Sequence, residues 1–241
     1  MTQPPCRVCG DSHTGFFAEK DGYAYARCAA CGFVFLDPMP DAAALAGQYA
    51  GEAIGAGTYP KAASRFRRAR VKALRLVRYI RGNETIDLGC GGGFMVEAMR
   101  RLGARATGVD VNPGAIAYAS RRFARNRFYC DDLAGFEGRG LAFDFVYASE
   151  VMEHLPDIGA FMGLIARITR PGGHLYVTTP DIGHWRVPGD VTEWDMFSPP
   201  MHVQFFNRRC LGVLFERHGF RVRRRFFKLK PGLQMLAQRL A

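Results

Sequence analysis

Three observations predict a doubly wound α/β domain, a mostly parallel sheet with helices on both faces, preceded by a small cysteine module. After Gly82 the apolar residues alternate between strand-like and helix-like periods, a Gly-rich turn follows the first of these strands, and four of the seven cysteines stand in two close pairs near the start. Alternation of this kind builds parallel strands joined by helical crossovers, with ligands at the carboxyl ends of the strands. A length of 241 residues holds one such domain and a small appended module. At 48% hydrophobic and 23% charged residues the chain has globular composition, which excludes disordered and fibrous classes. No apolar run approaches the roughly 20 residues that cross a bilayer, and the first residues lack a signal-peptide pattern, so a soluble, cytoplasmic protein is expected.

The cysteines come first. Cys6, Cys9, Cys28 and Cys31 read C-x2-C, a gap of eighteen residues, then C-x2-C, the spacing of a zinc ribbon. Four thiolates complete a tetrahedral shell around zinc and leave no position for water, so the ion is structural. Gly10 and Gly32, each just after the second cysteine of a pair, suit the tight turns such a site needs. A module of about 35 residues buries too little area alone. Its aromatics Phe16, Phe17, Tyr23, Tyr25, Phe33 and Phe35 are therefore expected to dock it onto the main domain. Residues 1–36 form this ribbon.

Residues 37–81 read as a helical linker and lid. The cluster from Asp37 to Asp41 breaks the chain, Asp41 caps a short helix to about Tyr49, and 51–60 is a Gly-rich loop. From Lys61 onward Phe66, Ala69, Ala73, Leu76 and Ile80 recur at helical spacing, with Arg65, Arg68, Lys72 and Arg75 on another face. Residues 82–230 carry the main domain, with strands expected at 85–88, 104–109, 127–130, 143–148 and 174–178. Helices are expected at 94–102, 113–124, 158–169 and 208–218, and a strand over 220–229. Residues 231–241, rich in Leu, Gln, Met and Ala, read as a helical tail in place of a closing antiparallel strand.

The net charge of +11 comes from 33 basic and 22 acidic residues. Nine Lys/Arg fall between Lys61 and Arg81 and seven between Arg217 and Lys230, with no acid in either stretch, and the remainder carries −5. Two basic segments therefore attach to an acidic remainder. That layout fits an anionic small-molecule acceptor, with nucleic acid as the second choice and a membrane contact through the basic C-terminal tail as a third.

The turn after the first strand is Asp87-Leu-Gly89-Cys-Gly91-Gly-Gly93-Phe94, with Asp110 closing the second strand. A dinucleotide fingerprint needs glycine where Phe94 stands, and a P-loop needs Gly-Lys-Ser/Thr, so both are excluded. The pattern D-x-G-x-G-x-G with a later acid resembles the class I S-adenosylmethionine (SAM)-dependent methyltransferases, a Rossmann-like family, from about Thr85 to Phe220. The resemblance implies SAM as cofactor, held by Asp87, Gly89, Gly91 and Gly93 near the methionine part and by Asp110 and Val111 near the ribose. It further implies Asp131, Asp132 and Leu133 at the adenine and Glu150 in the segment after the fourth strand. That segment, Ser149-Glu-Val-Met-Glu-His-Leu-Pro156, is similar to the small-molecule branch containing the ubiquinone-type enzymes. The order of ribbon and domain also resembles bacterial methyltransferases with an N-terminal zinc segment, among them sugar C-methyltransferases. Their Tyr-x-Glu-His run falls on Pro199, Met201 and His202, so only the histidine is shared.

Methyl transfer from a sulfonium is an in-line displacement, accelerated chiefly by positioning, and a base matters when the acceptor must lose a proton. His202, His154, Asp181 and His184 are the candidates by their places at strand ends and in the following loops. The acceptor is expected to be a small molecule such as a cell-envelope sugar or secondary metabolite. RNA base methylation is the alternative. The aromatic stretch 181–207, with Trp185, Trp194, Phe197, Phe205 and Phe206, is expected to form the acceptor pocket or its lid, with Tyr49 and Tyr59 closing the other side.

Overall fold

A computed structural model describes residues 4–41, 45, 59 and 61–241. The helix expected over 41–49 and most of the Gly-rich stretch 51–60, Tyr49 included, lie outside the described residues. Strands β1 (Thr14–Lys20) and β2 (Tyr23–Cys28) form an antiparallel hairpin with Thr14 opposite Cys28. Its tip is Asp21-Gly22, both with positive φ (53° and 79°), the backbone that a two-residue hairpin turn requires. β3 (Val34–Leu36) adds antiparallel to β2, and β9 (Gln204–Phe205) adds antiparallel to β3, giving the four-stranded order β1-β2-β3-β9.

The larger sheet has seven strands. In chain order they are β4 (Glu84–Leu88), β5 (Arg105–Asp110), β6 (Arg127–Cys130), β7 (Phe143–Ser149), β8 (Thr169–Thr179), β10 (Phe220–Arg225) and β11 (Leu233–Arg239). Their spatial order is β10-β11-β8-β7-β4-β5-β6. β4 pairs in parallel with β5 on one side and β7 on the other, and β5 pairs in parallel with β6. The strand order thus reverses beside β4, and a switch point of this kind leaves a crevice at the carboxyl end of the strand. Helices connect the strands: α1 (Ala62–Arg75), α2 (Val77–Ile80), α3 (Phe94–Arg101), α4 (Pro113–Arg122), α5 (Leu133–Glu137), α6 (Ile158–Ile168) and α7 (Arg208–Arg217). The expected basic helix is broken at Leu76, whose backbone leaves helical geometry; Ala69, Ala73, Leu76 and Ile80 are buried as their spacing requires.

One expectation fails outright. Residues 231–241 are not a helical tail: β11 is the final strand, placed between β10 and β8, with Leu233, Met235, Leu236 and Ala237 buried. Leu, Gln, Met and Ala favour helix locally, but two flanking strands supply backbone partners, and burial on both faces outweighs a propensity of tenths of a kcal/mol per residue. The membrane contact expected from that tail loses its basis, because these residues are built into the sheet. Among the described residues no helix is long and apolar enough to cross a membrane.

The chain divides into two compact units. The first comprises Met1–Gln48, Ser149–Gly163 and Val177–Gln238. Its core is aromatic: Tyr25 packs on Phe197 at 4.5 Å between ring centroids and on Phe205 at 5.8 Å, while Phe33 packs on Phe206 at 5.2 Å. The ribbon aromatics therefore dock as expected. The same contacts correct the reading of 181–207 as a pocket or lid, since Trp194, Phe197, Phe205 and Phe206 are buried in this core and only Trp185, 69% exposed, faces solvent. The second unit comprises Tyr49–Ala148, Leu164–Tyr176 and Arg239–Ala241. Ile86, Phe145, Val146, Ile165 and Leu175 are fully buried in it. On α3 the buried Glu97 accepts from Arg100 Nε (2.8 Å), Arg101 Nε (2.7 Å) and Asn126 Nδ2 (3.0 Å). Burial opposes its charge, but these bonds hold its pKa down to about 2.

Candidate active site

In the second unit, β4 runs into a turn where Gly89, Gly91 and Gly93 all have positive φ (72°, 49° and 74°). The amides of Gly89 and Cys90 both donate to the Val109 carbonyl, at 2.9 and 3.0 Å, which ties the turn to β5. Asp110, at the end of β5, accepts from the Gly91 amide on Oδ2 (2.8 Å) and from the Asn112 amide on Oδ1 (2.9 Å). Asn112 in turn caps α4 through the Ala115 amide, with proline at the first helical position. The Tyr59 ring closes over the glycines: a Cβ on Gly91 would stand 2.9 Å from its hydroxyl, and one on Gly92 would stand 2.7 Å from its ring.

Asp87 is buried beneath this turn. Burial and the Asp110 carboxylate push its pKa well above the usual range, while Lys72, reaching in from α1, opposes that shift. Two carboxylates beside bare backbone suit a polar ligand carrying positive charge. Val111 follows with its side chain 59% exposed. Farther along, Asp131 pairs with Arg139 at 2.6 Å, and Asp132 caps α5 by accepting from the Gly135 amide at 2.8 Å. The expected adenine contact from Asp132 therefore competes with a capping role on Oδ1, and Leu133 opens the helix so capped.

In the first unit, Glu150 follows β7 with φ of 56°, a left-handed conformation rare for glutamate. It is held there by Thr178, whose carbonyl accepts from the Glu150 amide (2.8 Å) and whose hydroxyl donates to Glu150 Oε1 (2.6 Å). A 3-10 turn over Met152–His154 then brings Glu153 and His154 inward. Gln204 fixes that turn by donating from Nε2 to the carbonyls of Met152 (2.6 Å) and Leu155 (2.8 Å). His154 donates from Nδ1 to the Met201 carbonyl at 2.8 Å, and His202 from Nδ1 to the Met196 carbonyl at 2.6 Å. Their rings lie 4.7 Å apart. Burial lowers both pKa values, so both imidazoles stay neutral near pH 7. Glu153 is fully buried, with Oε2 accepting from the Thr179 hydroxyl at 3.0 Å and the Glu150 carboxyl beside it. Burial, then the Glu150 carboxylate beside it, raise its pKa. Glu153, His154 and His202 present ligand atoms all within 4.8 Å of one another.

Two of the four expected catalytic residues thus meet, and two go elsewhere. His184 spends both ring nitrogens on backbone: Nε2–H donates to the Lys228 carbonyl (3.2 Å) and Nδ1 accepts from the Arg186 amide (3.1 Å). It is a structural residue, which corrects its reading as a base. Asp181 accepts from the Gly183 amide at 3.0 Å, and burial raises its pKa. Both line an open cleft of about 1070 Å³ with Phe16, Arg27, Trp185 and Arg208. Glu153 and Gln204 were missed as site residues. Glu153 stood in the quoted segment without a partner, and nothing in the sequence marks Gln204.

The cysteines gather as their spacing requires. Cys6 and Cys31 lie 3.6 Å apart between sulfurs, Cys9 and Cys28 also 3.6 Å, and all four sulfurs fall within 4.8 Å of one another. A tetrahedral zinc with bonds of about 2.3 Å places its sulfurs about 3.8 Å apart, so the four fit the ion. All seven cysteines are free thiols.

A family model described as a methyltransferase domain matches residues 62–224. The chain belongs to this family. It carries a methyltransferase domain with the fold of the S-adenosylmethionine-dependent methyltransferases, and the matched residues span the Gly-rich turn after β4. Among curated relatives, a ubiquinone biosynthesis O-methyltransferase of Bradyrhizobium sp. (strain ORS 278) is 35% identical over 157 residues, 57% of this chain and 61% of that one. A malonyl-[acyl-carrier protein] O-methyltransferase of Serratia marcescens is 29% identical over 151 residues, 63% of this chain and 58% of its own. The methyltransferase thus spans less than two thirds of these relatives. Among solved structures, a 1,6-didemethyltoxoflavin-N1-methyltransferase of Burkholderia thailandensis, with its substrate and S-adenosylhomocysteine bound, superposes with a TM-score of 0.60. It is 19% identical, covering 94% of this chain and 99% of that one. A magnesium protoporphyrin IX methyltransferase of Synechocystis PCC 6803 with S-adenosylhomocysteine gives 0.58 at 16% identity, covering 80% and 94%. These two likenesses establish the shared fold.

Proposed function

We propose that this methyltransferase moves the methyl group of SAM onto an oxygen of a small, anionic acceptor, with zinc closing the four-cysteine ribbon. The observation that carries the reading is the pair of neutral imidazoles, the half-buried His154 and the buried His202, each oriented by a backbone carbonyl. The names of the O-methyltransferase relatives support oxygen as the acceptor atom. Anionic character is supported by the two basic segments, Lys61 to Arg81 and Arg217 to Lys230, neither of which holds an acid. The cell-envelope sugar or secondary metabolite expected from the sequence becomes a small molecule with an ionisable hydroxyl or carboxyl group.

SAM supplies an activated methyl on a sulfonium. The glycine turn lets backbone approach the cofactor, while Asp110 sets a negative potential against its positive charge. Asp110 does so with a fixed orientation, because the Gly91 and Asn112 amides hold both its oxygens. The imidazole pair is the basic site at which an acceptor hydroxyl loses its proton, and its lowered pKa values keep it basic in mildly acidic solution. Labelled methyl from SAM, supplied with total extract, should appear in the low-molecular-weight fraction. Label found only in RNA or protein would overturn the reading. With a purified acceptor the rate should hold from pH 8 down to about 6.5 and fall only below it.

A further inference from the structure

We propose that Lys72 is a positioning residue for SAM, a cation that α1 carries to the buried Asp87 and Tyr147 beneath the glycine turn. Its placement differs from that of its neighbours. The other basic side chains of α1, Arg65, Arg67, Arg68, Arg70 and Arg75, are all exposed, whereas Lys72 is half-buried beside the buried Ala69 and Ala73. Its ammonium stands 3.5 Å from the Tyr147 hydroxyl on β7. Tyr147 is the register partner of Asp87 on the adjoining parallel strand, so both side chains leave the sheet on the face that Lys72 reaches. Asp87 is 4% exposed and Tyr147 3%. A lysine suits this place, since its compact ammonium on a flexible stem enters where a planar guanidinium needs more room.

The surroundings make that charge count. Tyr147 stacks on Tyr176 with ring centroids 5.4 Å apart, and Tyr79 stacks on Phe145 at 6.4 Å, so this face of the sheet is aromatic and screens a charge poorly. Four groups act on Asp87 or stand beside it: Asp110 from β5, Cys90 from the turn, Tyr147 from β7 and Lys72 from α1. Burial and Asp110 drive the Asp87 carboxyl toward its protonated form, and burial keeps Cys90 a neutral thiol. Lys72 alone of the four favours the Asp87 anion.

The consequence rests on the SAM reading above. SAM carries an ammonium and a sulfonium, so an ionised Asp87 attracts it and a protonated one does not. Binding therefore expels a proton from Asp87 to solvent, and affinity rises with pH until Asp87 is ionised in the free protein as well. Lys72 brings that rise to lower pH by favouring the anion in advance. With Lys72 removed, Asp87 holds its proton more tightly and the rise moves to higher pH. A residue that merely propped α1 would change affinity by one factor at every pH, and one that merely repelled the cofactor would tighten binding when removed.

The probe is SAM, titrated by calorimetry into the full-length protein from about pH 6 to about pH 9, in buffers of differing ionisation enthalpy that count the protons released. K72M should bind SAM about tenfold more weakly at pH 7, release more protons there, and approach wild type at the top of the range. K72R, which keeps the charge, should keep most of the wild-type profile. D87N should bind weakly with no proton released from this site, and adding K72M to it should change affinity less than about twofold. A loss in K72M that is the same at every pH, tighter binding in K72M at pH 7, or equal losses from K72M in the wild-type and D87N backgrounds would each overturn the proposal. If wild type binds no SAM, the cofactor reading fails, and carbon-13 NMR of the Asp87 carboxyl decides the rest. Its titration should move to higher pH in K72M, and an unmoved titration overturns the coupling.

Discussion

The glycine turn after β4 and the histidine cluster are built by opposite means. In the turn the working parts are backbone: three glycines at positive φ, amides bonded to Val109 and Asp110, and one strand-end carboxylate that shapes the loop it serves. In the cluster the working parts are side chains, delivered by segments some fifty positions apart and held by Gln204, Thr179, Tyr25 and two peptide carbonyls. A backbone site depends on a few adjacent residues and tolerates change elsewhere. A side-chain site inherits the stability of everything that packs around it.

Four measurements can break or sharpen that contrast. Replacing Phe205 by alanine removes a fully buried ring that touches Tyr25, Trp194 and Phe197. Urea denaturation should show a loss of about 3–5 kcal/mol. Affinity for SAM should change little, and a large loss of SAM binding in the folded protein would erase the distinction between the sites. Next comes Asp110→Ala, which orphans the Gly91 and Asn112 amides. Calorimetry should show SAM affinity falling about 10- to 100-fold, at about 1.5–3 kcal/mol for charge-assisted bonds.

Glu97 offers a control in the second unit, since its side chain bonds only to Arg100, Arg101 and Asn126 among the described residues. Its pKa of about 2 in the folded protein lies below the ordinary 4.5, so its stabilisation is complete above about pH 4.5 and is lost as pH falls toward 2. Acid titration of E97Q should lack a component of about 2 kcal/mol in that window, a figure reduced for the half-exposed Arg101. The smallest effect belongs to Tyr25→Phe, which deletes the bond to the His202 carbonyl. Urea denaturation should show stability falling by about 1 kcal/mol.

Legibility followed the same line. The central strands and helices matched expectation to within a residue or two at most boundaries, because apolar periodicity reflects the sheet and helix faces directly. The four-cysteine ribbon and the glycine turn were readable because their parts adjoin in sequence. What failed depended on distant neighbours. Residues 233–239 look helical by composition, yet a place between β10 and β8 makes them a strand. His184 looked like a base until Lys228 and Arg186 were seen to occupy its ring. The aromatics after Trp185 looked like a pocket because nothing in their local sequence discloses that Tyr25 and Phe33 arrive to cover them. Glu153 passed unremarked because its value lies in His202, far along the chain.

The pairing of β3 with β9 carries a consequence for how the protein is made. The edge of the ribbon sheet at Val34 and Phe35 leaves the ribosome well before its partners Phe205 and Gln204. At about 5–20 residues per second, that edge waits about 10–30 s during synthesis. Through this interval the edge is held in register by the β1–β2 hairpin alone, with Thr14 opposite Cys28, so the stability of that hairpin decides whether β3 is still in place when β9 arrives.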